Sequence, residues 1–300
     1  MSSFEDATRI EALDGHTYSA DFKDDWCIGS VPNGGYVTSC FMRVVSLYFG
    51  STLRAQNQPH TITLHLEFLR RTEVGPATFK VKDVKLGRAT SIVHVTLSQA
   101  GREEVVGYIT NSNLDTETGV TFETGWALHP PPQAADVQKM KAGKDDNWEE
   151  WDSVPFASFR KASQRVRWFL PRQGQPSKSM SDEWLTFRSG ESFTNESIGF
   201  ISDMFQQVVE NYKKKGEKVA YWYPTLLLNL DIKKAMPPEG LEFVFLRARS
   251  KKIKNGRLDL EITILDETGD VIALSNHVSM VLGAERNLAQ RRKTDGSSKI

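Results

Sequence analysis

The residues of this chain that could carry chemistry are dispersed acids, amides and imidazoles rather than members of one compact motif. Asp203 stands in a helical pattern beside Met204 and Phe205, where a carboxylate without hydrogen-bond partners is costly. Asn229 interrupts Leu226, Leu227, Leu228 and Leu230, and an amide in such a strand demands partners. His277, between Asn276 and Val278 in the last strand pattern, carries an imidazole that titrates close to neutral pH and can accept a proton from water. Gly34 and Gly35 open a helical segment, and the N–H groups and positive dipole end there suit an oxygen that is gaining charge. Each residue also has a structural reading: a solvated or capping carboxylate, a sheet-edge amide, a satisfied core imidazole, a tight glycine turn.

Other chemistries are absent. The nearest approach to Gly-x-Ser-x-Gly is Gly190-Glu191-Ser192-Phe193-Thr194, which has no closing glycine. The chain has no His-Glu-x-x-His, no Walker loop and no Gly-x-Gly-x-x-Gly after a strand. Cys27 and Cys40 are the only cysteines, too few for a disulfide framework and without metal-site spacing.

The elements that must position these groups follow a layout that occurs twice, a helix and then four extended segments. Asn33 can cap a helix with Val37, Cys40, Phe41, Val44 and Tyr48 at helical spacing until Gly50. Ile62, Leu64, Leu66 and Phe68 then alternate with polar residues, and further strands are expected near 77–87, 90–99 and 103–111. In the second copy Ile198, Ile201, Phe205, Val208, Val209 and Tyr212 predict a helix ending in the basic run Lys213 to Lys215. Strands are expected after it near 222–234, 241–253, 257–266 and 271–282. A sheet with one face on a helix leaves open edges, so two copies gain by pairing them. The expected division is an N-terminal unit over 1–125, a crossover over 126–157, a C-terminal unit over 158–285 and a basic tail over 286–300. The crossover holds Pro130-Pro131-Pro132 and the acidic stretch Asp145 to Glu150, loop chemistry of the solvated kind.

Lys plus Arg equals Asp plus Glu at 38 each, so no net field draws the chain to nucleic acid or an anionic membrane. The first residues are polar and acidic, unlike a secretory signal, and no apolar run is long enough to span a bilayer. An intracellular home, cytoplasmic or peroxisomal, is the expectation. The chain ends Ser298-Lys299-Ile300, one conservative change from the Ser-Lys-Leu address that a peroxisomal import receptor reads.

The segment Tyr18 to Asp21, Trp26 and Pro32-Asn33-Gly34-Gly35-Tyr36, with His65 to Arg70, Gly75 and Arg88-Ala89-Thr90-Ser91 after it, resembles the thioesterase-like superfamily related to type II acyl-CoA thioesterases. In the second half Phe200 to Asp203, Trp222 to Leu226 and Gly269 to Ala273 carry the same resemblance. It spans about 10–283 and implies an α+β double hotdog: two antiparallel sheets, each wrapped around a long helix, joined as an intramolecular pseudo-dimer. It also implies hydrolysis of fatty-acyl or related acyl-CoA thioesters by an activated water, without metal or organic cofactor. The family's catalytic aspartate, threonine and glutamine fall on Asp203, Asn229 and His277, so two of the three are replaced. Gly34, Gly35 and Tyr36 are the expected surroundings of the thioester carbonyl oxygen, and Arg88, near Lys80, Lys82 and Lys85, would meet the phosphates of coenzyme A. Two rivals stay open, a non-catalytic acyl- or polyketide-binding hotdog protein and a hotdog hydratase or dehydratase. Further pairing of two chains is also open.

Overall fold

The computed structural model describes residues 2–152, 154–214, 217 and 219–289; Ser298, Lys299 and Ile300 lie outside the described residues. In the first half, strand β1 (Thr17–Phe22) leads to helix α1 (Gly34–Gly50) and then to β2 (His60–Phe68), β3 (Gly75–Lys85), β4 (Ser91–Gln99) and β5 (Arg102–Ser112). In the second half β6 (Val166–Pro171) and β7 (Met180–Phe187) precede helix α2 (Ile198–Ser202), and β8 (Thr225–Ile232), β9 (Val244–Arg249), β10 (Arg257–Leu265) and β11 (Val271–Met280) follow it. Each half is a hotdog, an antiparallel sheet laid against its helix, as the sequence leads one to expect.

The two sheets are continuous. The strands run β1-β3-β4-β5-β2-β8-β11-β10-β9-β7-β6, all antiparallel, within one 14-stranded sheet. The halves meet where β2 pairs with β8, Leu66 opposite Leu228 and Leu64 opposite Leu230. This pairing removes the open edge that each half would otherwise carry. On β8, Leu228, Leu230 and Ile232 are buried on the helix-side face, while Leu227, Asn229 and Asp231 take the other face, the alternation a pleated strand imposes.

Three expectations need correction. The second helix does not run to Tyr212: α2 stops after Ser202, Asp203 takes φ −116° and ψ 11°, and the chain re-coils only as a 3₁₀ segment over Val208–Tyr212. The Gln206 N–H, which a continued helix would aim at Ser202, instead donates to the Glu183 carboxyl at 2.9 and 3.1 Å. Apolar spacing alone could not separate a long helix from a short one followed by a buried coil. The stretch read as a crossover contains a helix, Val137–Lys141, and an edge strand, Trp148–Glu150, which pairs with β6. Met140 and Trp148 form a second apolar cluster with Phe169, Trp184 and Phe245, so this stretch covers part of the outer sheet face. Finally, β6 and β7 belong to the second sheet but precede its helix. Among the described residues no helix is long and apolar enough to cross a membrane.

Candidate active site

The helices cross at glycine. A Cβ on Gly35 would lie 2.7 Å from the Gly199 carbonyl oxygen and 2.7 Å from the Asp203 Cβ, and one on Gly199 would lie 2.8 Å from the Ser39 nitrogen. Only bare backbone permits this approach. It brings the C-terminal end of α2, where Asp203 sits, onto the N-terminus of α1. Asp203 Oδ2 accepts hydrogen bonds from the Asn33 amide at 3.0 Å and from the Gly35 N–H at 2.9 Å. Asn33 serves twice, since its Oδ1 also accepts from the Tyr36 N–H at 3.0 Å and caps the helix. The Thr225 hydroxyl stands 3.5 Å from Asp203 Oδ1. Burial pushes the Asp203 carboxyl up from 3.8 to about 6, against the pull of these hydrogen bonds.

His277 lies behind Asp203. Its Nδ1 is 3.7 Å from Asp203 Oδ1, and its side chain is fully buried while that of Asp203 is 10% exposed. Its Nε2 is 2.9 Å from the Ser275 hydroxyl. Burial pushes the imidazole down from 6.5 to about 3, so it is neutral at physiological pH and lacks the titration close to neutrality that an unperturbed imidazole would have. The group that titrates near neutrality is Asp203.

Asn229 does not join them. It pairs with Asn276 and with His65 in the sheet register, and its side-chain oxygen is 2.7 Å from His65 Nδ1 on the outer face. Asp203 and His277 lie on the opposite, helix-side face. The hydroxyl beside Asp203 is Thr225, the first residue of β8. A β-bulge between Thr225 and Leu227 puts Thr225 opposite Ser279, which has the same parity as Ser275 and His277. A bulge shifts the inward and outward alternation by one residue. The only signal for this in the sequence is a polar Pro224-Thr225 step before the leucine run.

Asp203, Thr225 and Gly34 border a cavity of about 250 Å³ whose apolar walls include Ile28, Phe68, Phe205, Trp222 and Leu226. The Gly34 N–H, first of α1, has no acceptor among the described residues. One wall is braced by Glu210, which accepts from the Tyr223 hydroxyl at 2.6 Å and from Arg160 at 2.9 Å. Arg70, Arg71 and Arg160 stand at the rim. Arg71 donates to the carbonyls of Asn287 at 3.0 Å and Ala289 at 2.6 Å. Asn287, fully buried, donates to the Ile28 carbonyl at 2.8 Å and accepts from the Ser30 N–H at 2.9 Å. The segment around Asn287 thus fixes the loop that carries Ile28 and Val31 into the cavity.

The other expected site residues stand elsewhere or are committed. Gly35 lies at the site, but its N–H is used on Asp203. Tyr36 is fully buried with its hydroxyl donating to the Ala7 carbonyl at 2.7 Å, a core role that follows from its place on the inner side of α1. Arg88 is exposed in the β3–β4 turn. That turn packs at the Ser112 end of β5, beside His60, whereas the cavity is at the Phe68 end of β2. The length of a strand separates them. No group of three or more His, Cys, Asp or Glu among the described residues is arranged to hold a metal ion.

Two family models match the chain, the acyl-CoA thioesterase N-terminal domain over residues 22–112 and the acyl-CoA thioesterase C-terminal domain over 132–281. The chain belongs to the acyl-CoA thioesterase family. It is a thioester hydrolase by that membership. A relative, the thioesterase-like protein TwmA of Talaromyces wortmannii, is 34% identical over 99% of this chain and 96% of its own length. Among solved structures, an acyl-CoA thioesterase II from Mycobacterium marinum superimposes with a TM-score of 0.63 at 17% identity, over 94% of this chain and 98% of that one. A hot dog fold protein from Alicyclobacillus acidocaldarius gives a TM-score of 0.75 at 15% identity, over 94% and 98% of the two chains. At such identities the structures speak for the fold alone.

Proposed function

We propose that this thioesterase hydrolyses fatty-acyl or related acyl-CoA thioesters with a water activated by Asp203. The observation that carries the reading is a carboxylate on the wall of an apolar cavity, raised to about 6 and held at the N-terminus of α1. A carboxyl so placed is mostly ionised at pH 7 yet basic enough to take a proton, the condition a general base needs. Water donating to Asp203 Oδ1, steadied by the Thr225 hydroxyl, attacks the acyl carbon while its proton passes to the carboxylate. The carbonyl oxygen gains charge beside the free Gly34 N–H and the positive end of α1. The C–S bond then breaks and coenzyme A leaves as a thiolate, which takes up the proton. Arg70, an exposed cation among the residues lining the cavity, would meet its phosphates.

The test is release of free thiol from a panel of acyl-CoAs. Asp203→Asn is expected to cost on the order of a hundredfold or more in kcat/KM. The parent rate should rise with pH through about 6, because the base works only when ionised. A well-folded parent that binds acyl-CoA and releases no thiol would leave a carrier. An Asp203→Asn variant as fast as the parent would remove Asp203 from the chemistry.

A further inference from the structure

The Ser275 hydroxyl makes two contacts whose directions are fixed by chemistry. It lies 2.5 Å from the Asn229 main-chain carbonyl, which can only accept, so the Ser275 proton points there. Toward His277 Nε2, at 2.9 Å, the hydroxyl oxygen can then only accept, and Nε2 must carry the ring proton. A neutral imidazole has one N–H. Nδ1 is therefore a bare lone pair, without a hydrogen-bond partner and fully buried, and the polar atom it faces is Asp203 Oδ1 at 3.7 Å. The strand neighbours at this register, Leu228 and Leu260, bring no charge, and the Phe205 ring stands 6.2 Å away.

We propose that Ser275 is a positioning residue that locks His277 as the Nε2–H tautomer, so that Nδ1 accepts a hydrogen bond from Asp203 once Asp203 has taken the proton of the attacking water. The proposal rests on the reading of Asp203 as the base. The proton moves from water to Asp203 Oδ1 and is shared with Nδ1 without leaving the carboxyl; it departs with the thiolate. A lone pair facing a carboxylate disfavours the anion and favours the acid, so the arrangement sharpens Asp203 as a base and stabilises the state formed during attack. The opposite tautomer would donate to the anion and blunt it. A glutamine, which the resemblance implies at this position, has an N–H₂ group that would likewise donate to the anion. The histidine thus uses a different electrostatic solution, one that depends on Ser275.

The decisive measurement is ¹⁵N NMR of the imidazole nitrogens in the full chain, with the His277 signals assigned by their loss in His277→Gln. The expected parent spectrum at pH 7 shows a protonated Nε2 and an unprotonated Nδ1. Ser275→Ala should move the ring toward Nδ1–H, lower the midpoint of the acidic limb of the rate profile and reduce kcat about tenfold. Ser275→Thr keeps the hydroxyl and should restore all three. In a His277→Gln background Ser275→Ala should cost little more, as a double-mutant cycle would read. An Nδ1–H or doubly protonated ring in the parent overturns the proposal, and so does an equal cost of Ser275→Ala in both backgrounds. Because the tautomer is read without turnover, a chain that hydrolyses no acyl-CoA would refute the Asp203 reading while leaving the Ser275 lock separately testable.

Discussion

The helices α1 and α2 occupy equivalent places in their halves and differ in length and in task. The first is 17 residues long, begins at an Asn33 cap and is buried through most of its length. The second is 5 residues long and gives way at Asp203 to a coil that enters the cavity wall. The long helix supplies core surface and a positive end that borders the cavity. The short one supplies a carboxylate delivered to that end, and it can do so because it stops. A helix continued to Tyr212 would hold the Gln206 N–H in its own ladder and leave the Glu183 carboxyl without that donor. Shortening the element costs regular hydrogen bonds and frees Met204, Phe205 and Gln207 to line the cavity.

The contrast is broken most directly at the crossing. Gly35→Ala places a Cβ within 2.8 Å of the Phe200 carbonyl oxygen as well as against Gly199 and Asp203, so backbone must move. We expect a loss of about 2 kcal/mol in stability and a larger than tenfold loss of kcat as Asp203 withdraws from the Gly35 N–H. Gly50→Ala, at the other end of the same helix, meets nothing within 4 Å and should leave both unchanged. Chemical denaturation and thiol release on the two variants check this. A Gly35→Ala protein as stable and active as Gly50→Ala would mean that the close crossing is not what holds the site.

A second comparison lies within one strand. Thr225 and Asn229 are both polar residues of β8, but the bulge turns the first toward Asp203 while the second faces His65 on the outer side. Thr225→Val should lower kcat about tenfold, whereas Asn229→Ala should change it less than about twofold, because Asn229 reaches the site through its main-chain carbonyl. If the order of the two effects is reversed, the outer-face pair of His65 and Asn229 takes over as the candidate site.

Much of this architecture is legible in the sequence because it rests on periodicity. The alternation of Ile62 to Phe68, the helical stripe from Val37 to Tyr48 and the glycines that open it each report a local rule. Asp203 is legible as a carboxylate that must find partners. What stays hidden depends on long-range register: which way Thr225 points after a bulge, that the end of the second helix meets the start of the first, and that Arg71 and Asn287 meet at the cavity rim. Asn229 misleads because polarity in a leucine run is visible while the face it takes is not. Arg88 misleads because its turn and the cavity are at opposite ends of the same strands.

The smallest expected effect concerns the point where the second helix gives way. Glu183 is fully buried, and burial raises its carboxyl well above 4.5, with the neighbouring Asp182 charge adding to the rise and the Gln206 N–H opposing it. The folded protein therefore holds the proton of Glu183 where the unfolded chain gives it up. With the folded value above the unfolded one, the stability that Glu183 contributes is complete below about pH 4.5 and is lost as pH rises through its folded value. Glu183→Gln keeps an acceptor for the Gln206 N–H and has no proton to lose. Its stability should match the parent near pH 4.5 and exceed it at pH 9, with thiol release changed less than about threefold. A parent-to-variant gap that does not widen with pH would show that Glu183 is ionised in the folded state. The coil after Asp203 would then be anchored by a buried charge rather than by a neutral acid, and Glu183→Gln would destabilise the wall of the site instead of reinforcing it.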